Sequence, residues 1–484
     1  MKTKHTNSLS LPYIRLTTNM SKTSKISIPA KSLDKFSLCV LMTQSGKTFV
    51  AIDHILKKLE EDPYGLHVVY TMNTLLNNAQ FANRLSTVEE TYGKGSIVVF
   101  ASKYSGSYDH AVSKEDLEAK TRITMPRVVI MCSHHVRFRE GHDWVASLGE
   151  SHMGLNVHMI YDELHQYIKR SIRKDIETLH GMDHVASIMA LTATPKVIIH
   201  KRGPWSTLKL ISHNDQFNFE GYTRVGDMKM HHLNDYFPET YIKPVFNDFD
   251  KMDEETLGFM EHALDRHPEI LADGNRVFLP AHVRRSGHIT VRDLVLERNP
   301  EAVVVIVNAK EKSLIYMENE KVQRISLISK DMELSENIGR ILTEYGLMER
   351  TLVITGFLCV GMGQTLTHKS YGNFTHAIIS HMSVGNDAIY QLFGRLTGRT
   401  KAWDTYRETQ VYCPRTISNR VKVMEKCAES VFHELKITRP LYQLPVTSMP
   451  EGVDVTSNDR KLKLNGLTGM IEEEEPEEMY EETD

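Results

Sequence analysis

The stretch "LMTQSGKTFVAID", residues 41–53, contains the end of a phosphate-binding loop, because residues 46–48 match the last three positions of Gly-x-x-x-x-Gly-Lys-Ser/Thr. In that pattern, glycines let backbone N–H groups close around phosphate oxygens, the lysine reaches the terminal phosphates and the hydroxyl holds magnesium. Leu41 and Gln44 stand where glycines are often found. A Gly-Lys-Thr triplet also arises by chance, so the surrounding sequence must decide whether this is a nucleotide site.

Apolar runs on both sides of the loop predict an α/β unit. The run 36–42 precedes the loop, and Phe49, Ile52, Leu56 and Leu59 follow it at helical spacing. Further apolar runs alternate with helical patterns; these runs are 66–71, 96–101, 127–132, 157–161 and 188–191. Continuous apolar strands separated by helices predict a parallel sheet that is covered on both faces.

Residues 205–273 interrupt this alternation with polar, aromatic and acidic stretches, after which the alternation restarts. The later runs are 277–280, 302–308, 325–329, 351–355, 377–380 and 411–413, with a helical pattern over 334–342. The sequence therefore predicts two α/β units in tandem. The expected division is a flexible segment 1–30, a first unit 31–204, a connector or insertion 205–273, a second unit 274–420, a helix 421–440 (its pattern running from Arg420 to Leu435) and a linker with a disordered acidic tail 441–484.

Composition favours a soluble globular protein. The chain has 484 residues, of which 41% are hydrophobic and 25% charged. It has no run of about 18 apolar residues, and its Ser/Thr/Lys-rich start lacks the apolar core of a signal peptide. We therefore expect no membrane association and a cytoplasmic or nuclear location.

Cysteine and histidine positions argue against a structural metal site. The five cysteines are scattered and odd in number, which favours neither a disulfide framework nor a Cys-x-x-Cys zinc site. The histidine pairs 134–135 and 231–232 lack ligand spacing to cysteines or carboxylates.

The formal net charge of −4 is unevenly distributed, because residues 472–484 carry nine acids and no base. Without these nine charges, residues 1–471 sum to +5. A mildly basic body with an acidic tail permits nucleic-acid binding without demonstrating it.

Residues that directly follow the apolar runs are informative, because ligands of open parallel sheets bind beyond the carboxyl ends of the strands. Asp162 and Glu163 follow the run 157–161. An aspartate there can hold magnesium and the adjacent glutamate can deprotonate an attacking water, although an ordinary acidic helix start is equally compatible.

Three further stretches follow later runs, and each has a plain structural alternative. Thr192-Ala193-Thr194-Pro195 could be a helix cap, Gly361-Met362-Gly363-Gln364-Thr365 a tight turn, and the arginines of "YQLFGRLTGRT", residues 390–400, a solvated helix face.

The joint order of these motifs decides between the alternatives. Gly-Lys-Thr, Asp-Glu-x-His, Thr-Ala-Thr, Gly-x-Gly and Gln-x-x-Gly-Arg follow one another as in superfamily 2 helicases of the D-E-x-H box type, which this chain resembles over residues 36–415. The resemblance implies two RecA-like domains with ATP and Mg²⁺ bound between them and nucleic acid crossing both. We expect DNA rather than RNA as the partner. The phrases "TMNT" and "QLFGR" are similar to helicases of large DNA viruses.

The resemblance also implies roles for individual residues. Residues Thr43, Gln44, Ser45 and Gly46 would form the nucleotide loop, Lys47 would contact the β and γ phosphates, Thr48 and Asp162 would hold magnesium, and Glu163 would be the catalytic base. His165, Thr192 and Thr194 would couple the nucleotide state to domain movement, with Gly361 and Gly363 near the nucleotide. Gln391 would contact the γ-phosphate region, and Arg395 would be the arginine finger, with Arg399 as the second catalytic arginine.

Three departures qualify the resemblance. Leu41 and Gln44 replace loop glycines, no glutamine signature precedes the loop, and Arg399 falls eight residues after Gln391, where seven is usual. The stretch 70–85 is similar to the first nucleic-acid-contacting segment of the family, or is a plain amphipathic helix.

The favoured function is an ATP-dependent helicase or translocase. The alternatives are a remodeller that hydrolyses ATP without separating strands and an ATP-binding scaffold that has lost turnover. Residues 205–273 and the acidic tail are candidate surfaces for protein partners.

Overall fold

A computed structural model describes residues 35–434 except 72–74, 105, 167, 169, 196–197, 199–208, 211–219, 238–247, 309, 330–331, 358–359 and 361–364. The expectations for residues 1–30, for the acidic tail and for Gly361 and Gly363 fall outside the described residues.

The first α/β unit is an eight-stranded sheet with helices on both faces. Its strands are β1 Phe36–Val40, β2 Leu66–Thr71, β3 Ile97–Phe100, β4 Asp109–Ala111, β5 Val128–Cys132, β6 Val157–Tyr161, β7 Val185–Thr192 and β8 Lys209–Leu210. Its helices are α1 Lys47–Glu61, α2 Leu75–Asn83, α3 Ser86–Tyr92, α4 Lys114–Ile123, α5 His135–Ser151 and α6 Arg170–His180. The strand order is β4-β3-β5-β2-β6-β7-β1-β8, and every described pair is parallel.

Burial explains why the central strands read as unbroken apolar runs. All residues of β1, β2, β5 and β6 are buried. Alternate residues serve opposite faces: Leu38 and Val40 belong to one hydrophobic cluster, whereas Cys39 and Leu41 belong to the other. Each aliphatic side chain buried in this way stabilises the fold by about 1.5–3 kcal/mol. The parallel arrangement brings the carboxyl ends of β1, β6 and β7 to one edge.

The second α/β unit is also an eight-stranded sheet. Its strands are β9 Lys229–His232, β10 Arg276–Phe278, β11 Val303–Val307, β12 Lys312–Glu318, β13 Lys321–Ser326, β14 Leu352–Gly356, β15 His376–Ile378 and β16 Gln410–Cys413. Its helices are α7 Phe249–Arg266, α8 Arg285–Arg298, α9 Leu334–Glu344, α10 Asn386–Phe393 and α11 Arg415–Glu434. The order is β13-β12-β11-β14-β10-β15-β16-β9. The expected pair of tandem α/β units is thereby confirmed.

One edge of the second sheet differs from the expected parallel arrangement. The run 325–329 was expected to form a strand of a parallel sheet, but β13 ends at Ser326 and pairs antiparallel with β12, which itself pairs antiparallel with β11. Asn319 and Glu320 connect the two strands and both have positive φ, as a two-residue type I′ hairpin requires. β13 is largely exposed, so its sequence carries no continuous apolar run that would reveal the hairpin.

Part of the stretch 205–273 joins the second unit. β9 pairs in parallel with β16, and α7 buries Phe259, Met260 and Ala263 in the cluster that covers one face of the second sheet. The strand was not apparent in the sequence because β9 is a half-exposed edge strand with two histidines and a lysine.

The last described helix, α11, begins at Arg415 rather than at the expected Arg420. Pro414 directly precedes it and accepts a hydrogen bond from the Ser418 N–H, which fits the preference of proline for helix starts. Within the described ranges, every helix is too short or too polar to cross a membrane.

Candidate nucleotide cleft

The loop of residues 41–46 joins β1 to α1 and forms the floor of a cleft. Gly46 occupies the N-cap position of α1 with φ 110°, a conformation that favours glycine. Ser45 Oγ donates to the Met42 carbonyl at 2.6 Å and closes a tight turn within the loop. The N-terminus of α1 therefore opens directly onto the loop, in the arrangement that suits anion binding.

The two missing loop glycines have different structural consequences. Leu41 extends the ladder of β1, because its N–H donates to the Thr192 carbonyl at 3.0 Å and its side chain is buried. A glycine is not needed there. Gln44 has φ 56°, so a non-glycine residue holds a left-handed conformation that costs of order 1 kcal/mol.

Glu163 contacts several charged or polar side chains of the cleft. Its Oε1 lies 3.2 Å from Lys47 Nζ, and its Oε2 lies 3.4 Å from His165 Nδ1 and 3.5 Å from Gln391 Nε2. Gln391 belongs to α10 of the second unit, whereas Lys47 and His165 belong to the first. Glu163 therefore contacts charged or polar groups of both units at once.

A hydrogen-bond chain leads from this cluster to the end of β7. His165 Nδ1 lies 2.9 Å from Thr192 Oγ1, and Thr192 Oγ1 accepts the Thr194 N–H at 3.0 Å. Thr192 and Thr194 are fully buried. The Asp-Glu-x-His and Thr-Ala-Thr segments thus form one connected unit.

Arg395 and Arg399 lie in different environments. α10 ends at Phe393, and a short 3-10 turn, Gly394–Leu396, places Arg395 in the wall of the cleft with 6% of its surface exposed. Gly398 follows with φ 125° and turns the chain away from the helix. Arg399 is half-buried and is not among the described residues that line the cleft.

The cleft has a volume of about 240 Å³ and receives side chains from both units. Its described lining comprises Gln44, Gly46, Lys47, Thr48, Phe49, Arg84, Asp162, Glu163, Thr365, Gln391 and Arg395. Thr43 and Ser45 are buried behind this lining. The sequence reasoning gave no nucleotide role to Phe49, Arg84 or Thr365, although Thr365 ends the Gly-x-Gly stretch and Arg84 lies in the stretch 70–85.

Burial and neighbouring charges set the ionisation of the cleft. Burial raises the pKa of Asp162, and the charge of Glu163 adds to this shift, while Lys47 opposes it. Burial alone would raise the pKa of Glu163, but Lys47, His165 and Arg395 together outweigh it, and the pKa is lowered. Burial lowers the pKa of Arg395 to about 10. At neutral pH Glu163 is therefore an ionised carboxylate beside two cations.

Oxygen ligands suitable for Mg²⁺ are present in the cleft. Thr48 and Asp162 both line it and offer a hydroxyl and a carboxylate. Among the described residues, no group of three or more histidine, cysteine or carboxylate side chains is arranged to hold a metal ion. A donor set of two side chains fits Mg²⁺, which commonly takes one or two protein ligands and completes its shell with phosphate oxygens and water.

Hydrogen bonds from Thr397 and Tyr222 attach the second unit to the loop. Thr397 Oγ1 donates to the Thr43 carbonyl at 3.2 Å, and Tyr222 OH donates to the same carbonyl at 2.5 Å. A Cβ atom added to Gly394 would lie 2.7 Å from Thr43 Cβ, so the 3-10 turn rests directly on the loop. No sequence signal marks these contacts, because they join residues more than a hundred positions apart.

Comparison with known proteins gives a family match that overlaps the first unit. Residues 25–201 match the family model described as DEAD/DEAH box helicase. A search of curated protein sequences finds no match.

Three solved structures are similar over most of the chain. They are an ATP-dependent Type ISP restriction-modification enzyme LlaBIII bound to DNA (11% identity, TM-score 0.49, covering 85% of this chain and 30% of that one), the DEAD-box helicase Mss116 bound to ssRNA and UDP-BeF (11%, 0.42, 86% and 71%) and the DUF1998 helicase MrfA bound to DNA and AMPPNP (14%, 0.40, 84% and 49%). The chain thus spans less than a third of the first of these proteins. The family match covers residues 25–201, which is less than half of the chain.

Proposed function

We propose that this chain is an ATP-dependent nucleic-acid helicase or translocase that hydrolyses ATP in the cleft between its two α/β units. One observation carries the proposal: Glu163 of the first unit lies within 3.5 Å of both Lys47 and the second-unit Gln391. An ATPase whose turnover drives relative movement of two domains needs such a shared site. The match of residues 25–201 to the DEAD/DEAH box helicase family supports the same conclusion.

Each of the cleft residues has a separate role in the proposed hydrolysis of ATP. Lys47 binds the β and γ phosphates, and Thr48 and Asp162 would hold Mg²⁺, which would supply positive charge to neutralise the phosphates. Glu163, ionised at neutral pH, orients the attacking water and accepts its proton. Gln391 and Arg395 approach the γ phosphate from the second unit, where a buried guanidinium stabilises the charge that develops on the transferred phosphoryl group.

Two contacts link the cleft to movement of the units. The chain from His165 through Thr192 to Thr194 joins the catalytic glutamate to the end of β7. Thr43 joins the nucleotide loop to Thr397 of the second unit. Loss of the γ phosphate changes the charge balance around Glu163, and these contacts transmit that change to the relative position of the units.

Nucleic acid is the proposed partner, with DNA preferred over RNA. Contacts with the phosphate backbone are electrostatic, so the affinity for nucleic acid is expected to fall steeply with salt. Because these contacts do not read the bases, the affinity should vary little between sequences of equal length. We assign the chain to the D-E-x-H subtype on Asp162, Glu163 and His165, to the style of large DNA virus helicases on "TMNT" and "QLFGR", and to the cytoplasm or nucleus. Protein partners are proposed for residues 205–273 and the acidic tail.

The test is the ATPase rate of the full chain with and without single-stranded and duplex DNA and RNA, followed by strand-displacement measurements. A helicase shows stimulated ATPase and strand separation, whereas a remodeller shows stimulation without separation. A chain that binds ATP and Mg²⁺ but shows no turnover with any nucleic acid is instead an ATP-binding scaffold, and the proposal is then wrong.

A further inference from the structure

An ion pair crosses the rim of the cleft between the two units. Arg84 Nε lies 2.7 Å from Glu333 Oε1. Arg84 directly follows α2 in the first unit, and Glu333 directly precedes α9 in the second. Arg84 also lines the cleft together with Lys47, Glu163 and residues of the second unit. Its guanidinium is therefore shared between the cleft and the opposite unit.

Rigid elements support Arg84. Its N–H donates to the Gln80 carbonyl at 3.2 Å, which continues the helical hydrogen bonding of α2, and its neighbours Phe81, Ala82 and Leu85 are buried in the cluster that includes residues of α1. The position of the Arg84 backbone relative to the loop is therefore fixed by the core, while about a third of its side chain is exposed.

The position of Glu333 allows its carboxylate to compete with a phosphate group for Arg84. It occupies the N-cap position of α9, where its carbonyl accepts the Asn337 N–H at 2.9 Å, but its side chain does not cap the helix. Instead the carboxylate extends across the cleft to Arg84. Leu334 and Ile338 are buried and anchor this end of α9.

Arginine binds carboxylate and phosphate with the same planar set of donors, so the two anions compete for one guanidinium. Arg84 lines the same cleft as Asp162, Glu163 and Arg395, the residues of the proposed hydrolysis. We propose that Arg84 binds the γ phosphate of ATP and that Glu333 competes for it, so that ATP binding exchanges the inter-unit ion pair for an Arg84–phosphate contact. This inference rests on the proposed function.

Competition predicts that the two partners have opposite effects on affinity. Arg84→Gln removes the phosphate contact and should weaken binding of a non-hydrolysable ATP analogue with Mg²⁺ about tenfold, as expected for a charge-assisted hydrogen bond. Glu333→Gln removes the competitor and should tighten the same binding by about two- to fivefold, the range of a partly exposed ion pair. ADP affinity should change less than about twofold in both variants, because ADP lacks the γ phosphate.

The measurement is calorimetric titration of the full-length protein with the analogue and with ADP, each with Mg²⁺. Arg84→Lys keeps the charge without the planar fork and should give an intermediate affinity for the analogue. The matched control is Asp265→Asn, which breaks a 2.6 Å ion pair with Arg298 between α7 and α8 of the second unit and should leave both affinities unchanged.

Equal weakening in Arg84→Gln and Glu333→Gln would show that the ion pair only holds the units together, and equal losses for ADP and the analogue in Arg84→Gln would remove the γ-phosphate contact. Lys47→Ala distinguishes failure of the Arg84 inference from failure of the proposed function. If Lys47→Ala abolishes analogue binding while Arg84→Gln binds like the unaltered protein, only this inference is wrong. If the unaltered protein binds neither nucleotide, the proposed function is wrong as well.

Discussion

The two walls of the cleft are built differently. In the first unit, the loop residues, Asp162 and Glu163 directly follow buried parallel strands, so strand ends fix their positions. In the second unit, Gln391 and Arg395 come from one short helix and the turn that ends it. The position of this second wall depends on where α10 stops and on how closely the turn approaches the loop.

The two walls differ in how well their residues can be located from the sequence. A strand end is visible because an apolar run stops at a polar residue, as at Tyr161 and Asp162. A helix end is set by backbone geometry, here by a 3-10 turn and by the positive φ of Gly398.

The first comparison is between Arg395 and Arg399. Arg395 is buried in the wall of the cleft, whereas Arg399 lies beyond the turn at Gly398 and outside the described lining. We expect Arg395→Ala to lower nucleic-acid-stimulated ATPase activity by about three to five orders of magnitude, as for loss of an arginine finger. Arg399→Ala should leave a measurable fraction of the activity, with ATP binding retained in both variants. Steady-state rates together with nucleotide titration measure this difference.

Equal and complete loss of turnover in the two variants would mean that the turn at Gly398 returns Arg399 to the cleft during the reaction. Loss at Arg399 alone would mean that the finger has been assigned to the wrong arginine. Either result would change the account of the second wall and leave that of the first unaltered.

The second comparison tests the first wall. Glu163→Gln keeps the shape of the side chain and removes the ionised carboxylate beside Lys47, so hydrolysis should fall by about two to four orders of magnitude, as for loss of a general base. ATP and Mg²⁺ binding should persist. A chemical-quench measurement of a single turnover isolates this step, and near-normal turnover would exclude Glu163 as the base.

Much of the fold and of the first wall is predictable from the sequence. The two α/β units follow from apolar runs, and Lys47, Thr48, Asp162 and Glu163 lie where strand-end reasoning puts them, in one cleft. Exposed or half-exposed strands such as β13 carry no continuous apolar run and stay hidden. The inter-unit contacts of Thr43 also stay hidden, because nothing near a residue in sequence reveals a partner hundreds of positions away.

The third comparison concerns the approach of the second wall to the loop. Gly394 has a helical backbone, so alanine fits its φ and ψ, but the added Cβ would lie 2.7 Å from Thr43 Cβ. Such overpacking costs about 1–3 kcal/mol, which corresponds to a loss in kcat/KM for ATP of about five- to a hundredfold.

Thermal unfolding of Gly394→Ala should change little, because the clash lies between the units rather than within either core. Gly226→Ala is the matched control, since a Cβ at Gly226 meets no atom within 4 Å. Unaltered kinetics in Gly394→Ala would show that the 3-10 turn need not touch the loop during turnover.

The smallest expected effect separates the two hydroxyls that hold the Thr43 carbonyl. Tyr222→Phe and Thr397→Val each remove one donor and leave the other, so each should raise KM for ATP only by about two- to fivefold, since one hydrogen bond contributes about 1 kcal/mol. Tyr92→Phe, which loses a hydrogen bond to the Leu59 carbonyl within the first unit, should leave KM unchanged. The double variant should lose more than the product of the single losses, because it leaves a buried carbonyl without either donor. Multiplicative effects would instead mean that Tyr222 and Thr397 act on the loop independently rather than through one shared carbonyl.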